Sequence, residues 1–118
     1  MERIYFDNAA TTSLDPLVLE AMMPYMTEKF GNPSSIYSYG RETRMAIEQA
    51  RKQVAKILGA RPAEIFFTSG GTESSNTVLH AAMENLACKH IVSSPIEHHA
   101  TLHTVSHLAK KYNARLSL

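Results

Sequence analysis

The sequence predicts an α/β domain with a mostly parallel sheet and flanking helices. After residue 60, short apolar runs alternate with segments of helical periodicity, in the order strand, helix, strand, helix, strand. The run at 65–68 is short and apolar, as expected for a strand that is buried on both faces of a parallel sheet. This alternation also predicts right-handed crossover connections.

Local signals place each predicted element. Asp15 provides an N-cap and Pro16 the first helical position, whereas Pro24 should kink or shorten the helix that they begin. Gly59 suits the left-handed cap that ends the next helix. The predicted elements are, in order, a strand at 4–6, helices at 16–29 and 38–58, a turn at 61–64, a strand at 65–68, a helix from Thr72, a strand at 90–93, a helix at 99–112 and a strand at 115–118.

The length and the net charge of the chain exclude some classes of function. The 118 residues suffice for one domain at most, and the formal net charge is +1. This near-balance argues against binding to nucleic acid or a membrane surface through charge, and no apolar run approaches a membrane span. The single cysteine fits a reducing compartment, so a cytoplasmic location is expected. Because the chain ends within a predicted strand, we expect it to be part of a longer protein.

A glycine pair marks the first candidate site. Gly70 and Gly71 separate the apolar run at 65–68 from a helix that Thr72 begins. Glycines let an anion approach the backbone, and the helix N terminus offers unpaired N–H groups. The spacing matches neither a Walker A loop nor a dinucleotide-binding fingerprint. A tight turn capped by Thr72, with Glu73 favouring the helix dipole, explains the local sequence equally well.

A histidine marks the second candidate site. His98 lies in the loop between the strand at 90–93 and the following helix. In a parallel sheet, this loop and the Gly70–Gly71 loop face the same crevice. A histidine there could stack on an aromatic ligand or move a proton. Taken alone, a surface histidine near a helix start is the favoured interpretation.

Three other patterns favour ordinary structural roles. His99, His103 and His107 have i, i+4, i+8 spacing, but they share the polar side of their helix, which favours a solvated face over a metal site. Cys88 is best explained as a small structural thiol. None of the six lysines is placed to form a Schiff base.

Taken together, these motifs resemble the cysteine desulfurases, within the class V aminotransferase group of fold-type I pyridoxal-phosphate (PLP) enzymes. The resemblance implies the N-terminal part of the PLP-binding large domain, beginning at residue 15, with 1–14 as a small-domain arm. The matching stretches are 5–12 (YFDNAATT), 30–35 (FGNPSS), 50–51 (AR) with 59–60 (GA), 67–74 (FTSGGTES) and 97–98 (EH).

The resemblance also implies residue roles. Gly71 and Thr72 correspond to the pair that binds the cofactor phosphate, although the family usually has alanine where Gly71 stands. His98 corresponds to the histidine that stacks on the pyridine ring and assists proton transfer. The substrate-pocket positions that correspond are Ala10, Thr11 and Asn32.

The implied reaction converts L-cysteine to L-alanine and transfers sulfur to a protein persulfide, for iron–sulfur cluster or thio-cofactor synthesis. The family is homodimeric, and a sulfur-acceptor protein is a possible partner. Its Schiff-base lysine and persulfide cysteine would lie beyond residue 118, so we expect this chain alone to be inactive. The alternatives are a selenocysteine lyase, another class V enzyme, or a non-catalytic phosphate-binding fragment.

The family's sheet order implies a difficulty for the isolated chain. There, the strand at 65–68 pairs with a strand much later in the sequence. Without that neighbour it would present an unpaired edge, so we expect marginal stability or association through that edge.

Overall fold

The computed structural model describes residues 4–118, which divide between residues 65 and 66 into two compact units. Each unit has its own helices, and the second also contains a small sheet. The elements are α1 (Pro16–Thr27), α2 (Ser38–Leu58), a 3-10 turn (Pro62–Glu64), α3 (Gly71–Asn85), β1 (His90–Val92), α4 (His99–Lys111) and β2 (Arg115–Ser117).

Helix α1 begins as predicted and ends two residues early. The Asp15 carboxylate accepts a hydrogen bond from the Leu17 amide at 2.8 Å, so Asp15 is the N-cap. Pro24 lies inside the helix, and α1 ends three residues after it. Because proline cannot donate to the helical ladder, it weakens the preceding turn. The prediction that Pro24 shortens this helix is confirmed.

Helix α2 has the predicted bounds because its C-terminal signal is local. Gly59 adopts a left-handed conformation with φ 65°, and its N–H donates back to Lys56. The Ala60 amide donates to the Ala55 carbonyl at 2.9 Å. These two bonds form a Schellman motif, which satisfies carbonyls at the end of the helix.

The second unit contains a parallel strand pair joined by a helix. β1 pairs in parallel with β2, from His90 opposite Arg115 to Val92 opposite Ser117. Helix α4 connects the strands and contacts both of them as well as α3. The buried apolar side chains of this unit are Met83, Val105, Leu108 and Ala109.

The predicted strands at 4–6 and 65–68 are wrong. Neither segment is a strand, and Phe66 and Phe67 are 81% and 52% exposed rather than buried. Ile65 does have an extended backbone, with φ −100° and ψ 123°. A strand also needs a partner for its N–H and C=O groups. Within residues 4–118, only β1 and β2 supply one another with such a partner.

Helical periodicity in the sequence predicts that Ile57 and Leu58 share the apolar face of α2 and that Val78 and Leu86 belong to the inner face of α3. The structure leaves parts of both faces exposed. Their outermost residues are Ile57, Leu58, Val78 and Leu86, which are 68–83% exposed. Periodicity therefore identified the apolar side of each helix, but these positions are uncovered in the described part of the chain. No helix between residues 4 and 118 is long and apolar enough to cross a membrane.

Candidate functional site

The first candidate site is the N terminus of α3. Its N-cap is Gly70, and in the described chain no side chain accepts a hydrogen bond as a cap there. Helix N termini carry unsatisfied N–H groups and the positive end of the helix dipole. A Cβ added at Gly70 or Gly71 would meet nothing within 4 Å, so the backbone of this turn faces open space.

Side chains on the flank of the turn hold its shape. One oxygen of Glu73 accepts hydrogen bonds from both the amide and the hydroxyl of Ser69, each at 2.6 Å. The Ser69 hydroxyl and then the Ser69 amide lower the pKa of the Glu73 carboxyl below its ordinary value. The hydroxyls of Thr68 and Ser74 lie 2.6 Å apart. The loop is therefore closed by its own polar groups.

His98 is the N-cap of α4. Its Nδ1 accepts a hydrogen bond from the Ala100 amide at 3.2 Å. That bond uses the Nδ1 lone pair, so the neutral imidazole carries its proton on Nε2. The side chain is exposed, which leaves the ring available to a ligand.

Both predicted features line one cleft of about 450 Å³ within the second unit. The cleft joins the start of α3 to the start of α4, and its lining contains neither lysine nor cysteine. The lining residues are Gly71, Thr72, Ser75, Glu97, His98, Ala100 and Thr101. Gly71, Thr72 and His98 thus lie together. Ser75 was missed, although it follows Thr72 by three residues and so shares its helix face.

The three predicted substrate-pocket residues lie in the first unit. Ala10 and Thr11 end a turn in which both amides donate to the Asp7 carbonyl, at 3.1 and 3.4 Å. The Asn32 side-chain oxygen accepts from the Ser34 amide at 2.9 Å, forming an Asx turn. The structure therefore gives each residue a local structural role, and their substrate contacts stay predictions.

The Asn32 loop is fastened to the first turns of α2. The guanidinium of Arg44 donates to the Pro33 carbonyl at 2.8 Å, and that of Arg41 donates to Ile36 at 2.7 Å. Gly40 is buried, and a Cβ there would lie 2.6 Å from the Asn32 carbonyl. Only glycine permits this close approach between the loop and the helix.

The remaining reactive side chains do not form a second centre. His99, His103 and His107 are exposed along α4, with the first two rings 5.8 Å apart. No cluster of three or more histidine, cysteine or carboxylate side chains suitable for a metal occurs between residues 4 and 118. Cys88 is a free, half-buried thiol that follows α3.

Known proteins of similar sequence cover most of this chain. The chain is 53% identical over 109 residues to a cysteine desulfurase IscS of Dictyoglomus turgidum, an alignment that covers 91% of this chain and 28% of that relative. The chain therefore spans less than a third of that relative's length.

Solved structures show the same fold. A NifS-like protein matches with a TM-score of 0.91 and 44% identity, over 98% of this chain and 32% of that one. A structure described as SspA in complex with cysteine matches with a TM-score of 0.84 and 37% identity, over 96% and 33%. These matches confirm the predicted α/β fold. Residues 4–118 also match the family model described as aminotransferase class-V. The chain belongs to the class-V aminotransferase family.

Proposed function

We propose that this chain provides the phosphate- and ring-binding elements of a PLP-dependent cysteine desulfurase. One observation carries the proposal: the open N terminus of α3 and the imidazole of His98 line the same cleft. One end of that cleft suits a dianionic phosphate, and the other suits an aromatic ring. Relatives named cysteine desulfurase, and a neighbour bound to cysteine, point to L-cysteine as the substrate.

The residues at the start of α3 fit the phosphate end of the cofactor. The amides of Gly71 and Thr72 belong to the unsatisfied first turn, and Thr72 adds a hydroxyl donor. Charge-assisted hydrogen bonds of this kind are stronger than neutral ones. These groups would orient the cofactor through its phosphate and leave its ring near α4.

His98 fits the ring end. Its Nδ1 is committed to the Ala100 amide, which fixes the ring against the start of α4. The ring face can then stack, while the Nε2–H is the group that can donate a proton to the substrate. Accepting a proton at Nε2 would require the other tautomer and the loss of the bond from the Ala100 amide. When bound, PLP supplies the electron sink for the substrate carbanion. His98 is the catalytic residue of this proposal.

The rest of the assignment follows from the family resemblance. Residues 15–118 begin the cofactor-binding domain, and 1–14 form an arm of the small domain; only residues from 4 onward are described. Ala10, Thr11 and Asn32 border the substrate. The Schiff-base lysine and the persulfide cysteine come from outside this chain. The enzyme works in the cytoplasm as a homodimer. It passes sulfur to an acceptor protein.

The test measures cofactor binding and product formation together. Full-length protein is titrated with PLP, then supplied with L-cysteine or L-selenocysteine, and alanine and sulfide are quantified. We expect saturable PLP binding, alanine from L-cysteine and, with a thiol reductant present, released sulfide.

The isolated 118-residue chain is the matched control. It should produce no alanine, because its cleft contains no lysine or cysteine. Alanine formed only from L-selenocysteine would replace the proposal with a selenocysteine lyase. PLP binding without turnover of either substrate would favour a non-catalytic phosphate-binding protein.

A further inference from the structure

Glu73 is an unexpected neighbour for a phosphate site. It lies in the first turn of α3, where its negative charge would repel a bound phosphate. Its side chain is absent from the cleft lining in the described structure. Instead, one carboxylate oxygen accepts from the amide and the hydroxyl of Ser69, each at 2.6 Å. The carboxylate is therefore engaged by the loop that precedes the helix.

A second set of bonds fixes the next peptide group. The Gly70 carbonyl accepts from the Ser74 amide at 3.1 Å, and the hydroxyls of Thr68 and Ser74 both lie 3.2 Å from it. In a trans peptide, C=O and N–H point in opposite directions. A Gly70 carbonyl held toward the helix therefore directs the Gly71 N–H out of its end, where the cleft begins.

We propose that Glu73 is a positioning residue, which anchors Ser69 so that the Gly70–Gly71 turn keeps its first amides directed at the phosphate. This inference rests on the proposed function. Two successive glycines have more backbone freedom than any other pair, so an unanchored turn would lose much conformational entropy when it binds a ligand. With Ser69 anchored on one side and α3 on the other, the turn is ordered before the ligand arrives.

Two substitutions separate positioning from charge. Glu73→Gln removes the charge, but its amide oxygen can still accept from Ser69. Glu73→Ala removes both. We expect E73A to weaken PLP binding about tenfold, the equivalent of ordering about one residue. E73Q should bind PLP as the wild type does or somewhat more tightly.

The readouts use full-length protein and do not depend on turnover. Dissociation constants are measured for PLP and for pyridoxal, which lacks the phosphate, and amide hydrogen exchange is followed at Ser69 without ligand. E73A should weaken PLP binding but not pyridoxal binding, and should speed exchange at Ser69. The control is Glu64→Ala. The Glu64 carboxylate accepts a hydrogen bond from the Arg61 amide at 2.7 Å, in a similar turn outside the cleft. E64A should leave PLP affinity unchanged.

The remaining outcomes would each contradict either the positioning role of Glu73 or the proposed function. Tighter PLP binding by both E73A and E73Q would mean that Glu73 acts only through charge repulsion. Equal losses of PLP and pyridoxal affinity in E73A would mean that Glu73 does not act through the phosphate, and would overturn its positioning role. If E73A matched the wild type in PLP affinity and in amide hydrogen exchange at Ser69, the positioning role of Glu73 would be wrong. The proposed function would be unaffected. A wild-type protein that binds no PLP would overturn the proposed function, and this inference with it.

Discussion

The hydroxyl of Thr104 donates a hydrogen bond to the side-chain oxygen of Asn76 at 2.6 Å, which joins α4 to α3. Both residues are half-buried, and they lie nearer the start of their helices than the buried residues Met83 and Leu108 do. The bond therefore helps to set the distance between the two helix N termini that border the cleft.

Thr104→Val should lower the free energy of unfolding by about 1 kcal/mol, because it leaves the half-buried Asn76 oxygen without this donor. Urea denaturation measures the change. Ser106→Ala is the control, since the Ser106 hydroxyl only bonds Leu102 within its own helix. An equal loss in both variants would show that the bond between helices has no special contribution.

Thr72→Val should weaken PLP binding about tenfold, because it removes one hydroxyl donor to a charged phosphate. Valine keeps the β-branched shape, so the helix itself is little changed. Thr77→Val is matched in chemistry, but the Thr77 hydroxyl bonds the Glu73 carbonyl and does not line the cleft. A PLP titration in which both variants bind equally would contradict a phosphate contact from Thr72.

His98→Asn and His98→Ala separate the two roles of this residue. Asparagine is a good N-cap, so H98N should keep the stability of α4. It should still lose turnover, because it lacks the imidazole. H98A should also lose about 1 kcal/mol of stability, because the Ala100 amide loses its cap. The measurements are thermal melts and rates of alanine formation. Full activity in H98N would exclude the imidazole from proton transfer.

Two glycines should respond in opposite ways to alanine. Gly59 has φ 65°, so Gly59→Ala should cost about 1 kcal/mol of stability although its Cβ would contact nothing. Gly71 has no such backbone constraint, and a Cβ there is also free of contacts. Gly71→Ala should therefore raise stability by about 0.4–1 kcal/mol through the unfolded state. Equal effects in urea denaturation would contradict this assignment.

Glu84 should make stability depend on pH in the acid range. The Tyr112 hydroxyl at 2.9 Å, followed by His80 and Lys111, lowers the pKa of Glu84 in the folded chain. A carboxyl whose folded pKa is depressed contributes stability above its unfolded pKa of about 4.3, and the contribution is lost as pH falls through the folded value. Glu84→Gln should therefore flatten the fall in stability below about pH 4. Denaturation curves from pH 6 to 3 measure this, and an unchanged slope would contradict it.

The sequence predicted the helices better than the strands, and the reason is physical. Asp15 and Gly59 act on groups within a few residues, so helix boundaries could be inferred locally. The segments at 4–6 and 65–68 have the composition of strands, but pairing depends on distant residues. Gly71, Thr72 and His98 were assigned to one cleft on the expectation that both loops follow strands of one parallel sheet. The structure brings them together through the packing of α3 against α4, although 65–68 is not a strand.

The buried centre of the second unit was only partly anticipated. Leu108 is fully buried and was not singled out, although Val105, Leu108, Ala109 and Tyr112 follow i, i+3, i+4, i+7 spacing. The hydrogen bonds of Glu73 with Ser69, and of Thr104 with Asn76, were also missed. Such bonds depend on rotamers and interhelical geometry that composition and spacing do not encode.

The location of the core has a consequence for the order in which the chain folds. Four of the five buried apolar side chains among residues 4–118 belong to α3 and α4, which are close in sequence. Contacts between nearby segments require little loop closure and form early. We therefore expect the segment from α3 to β2 to consolidate first, whereas α1, which has no buried residue, gains little from packing within the described chain.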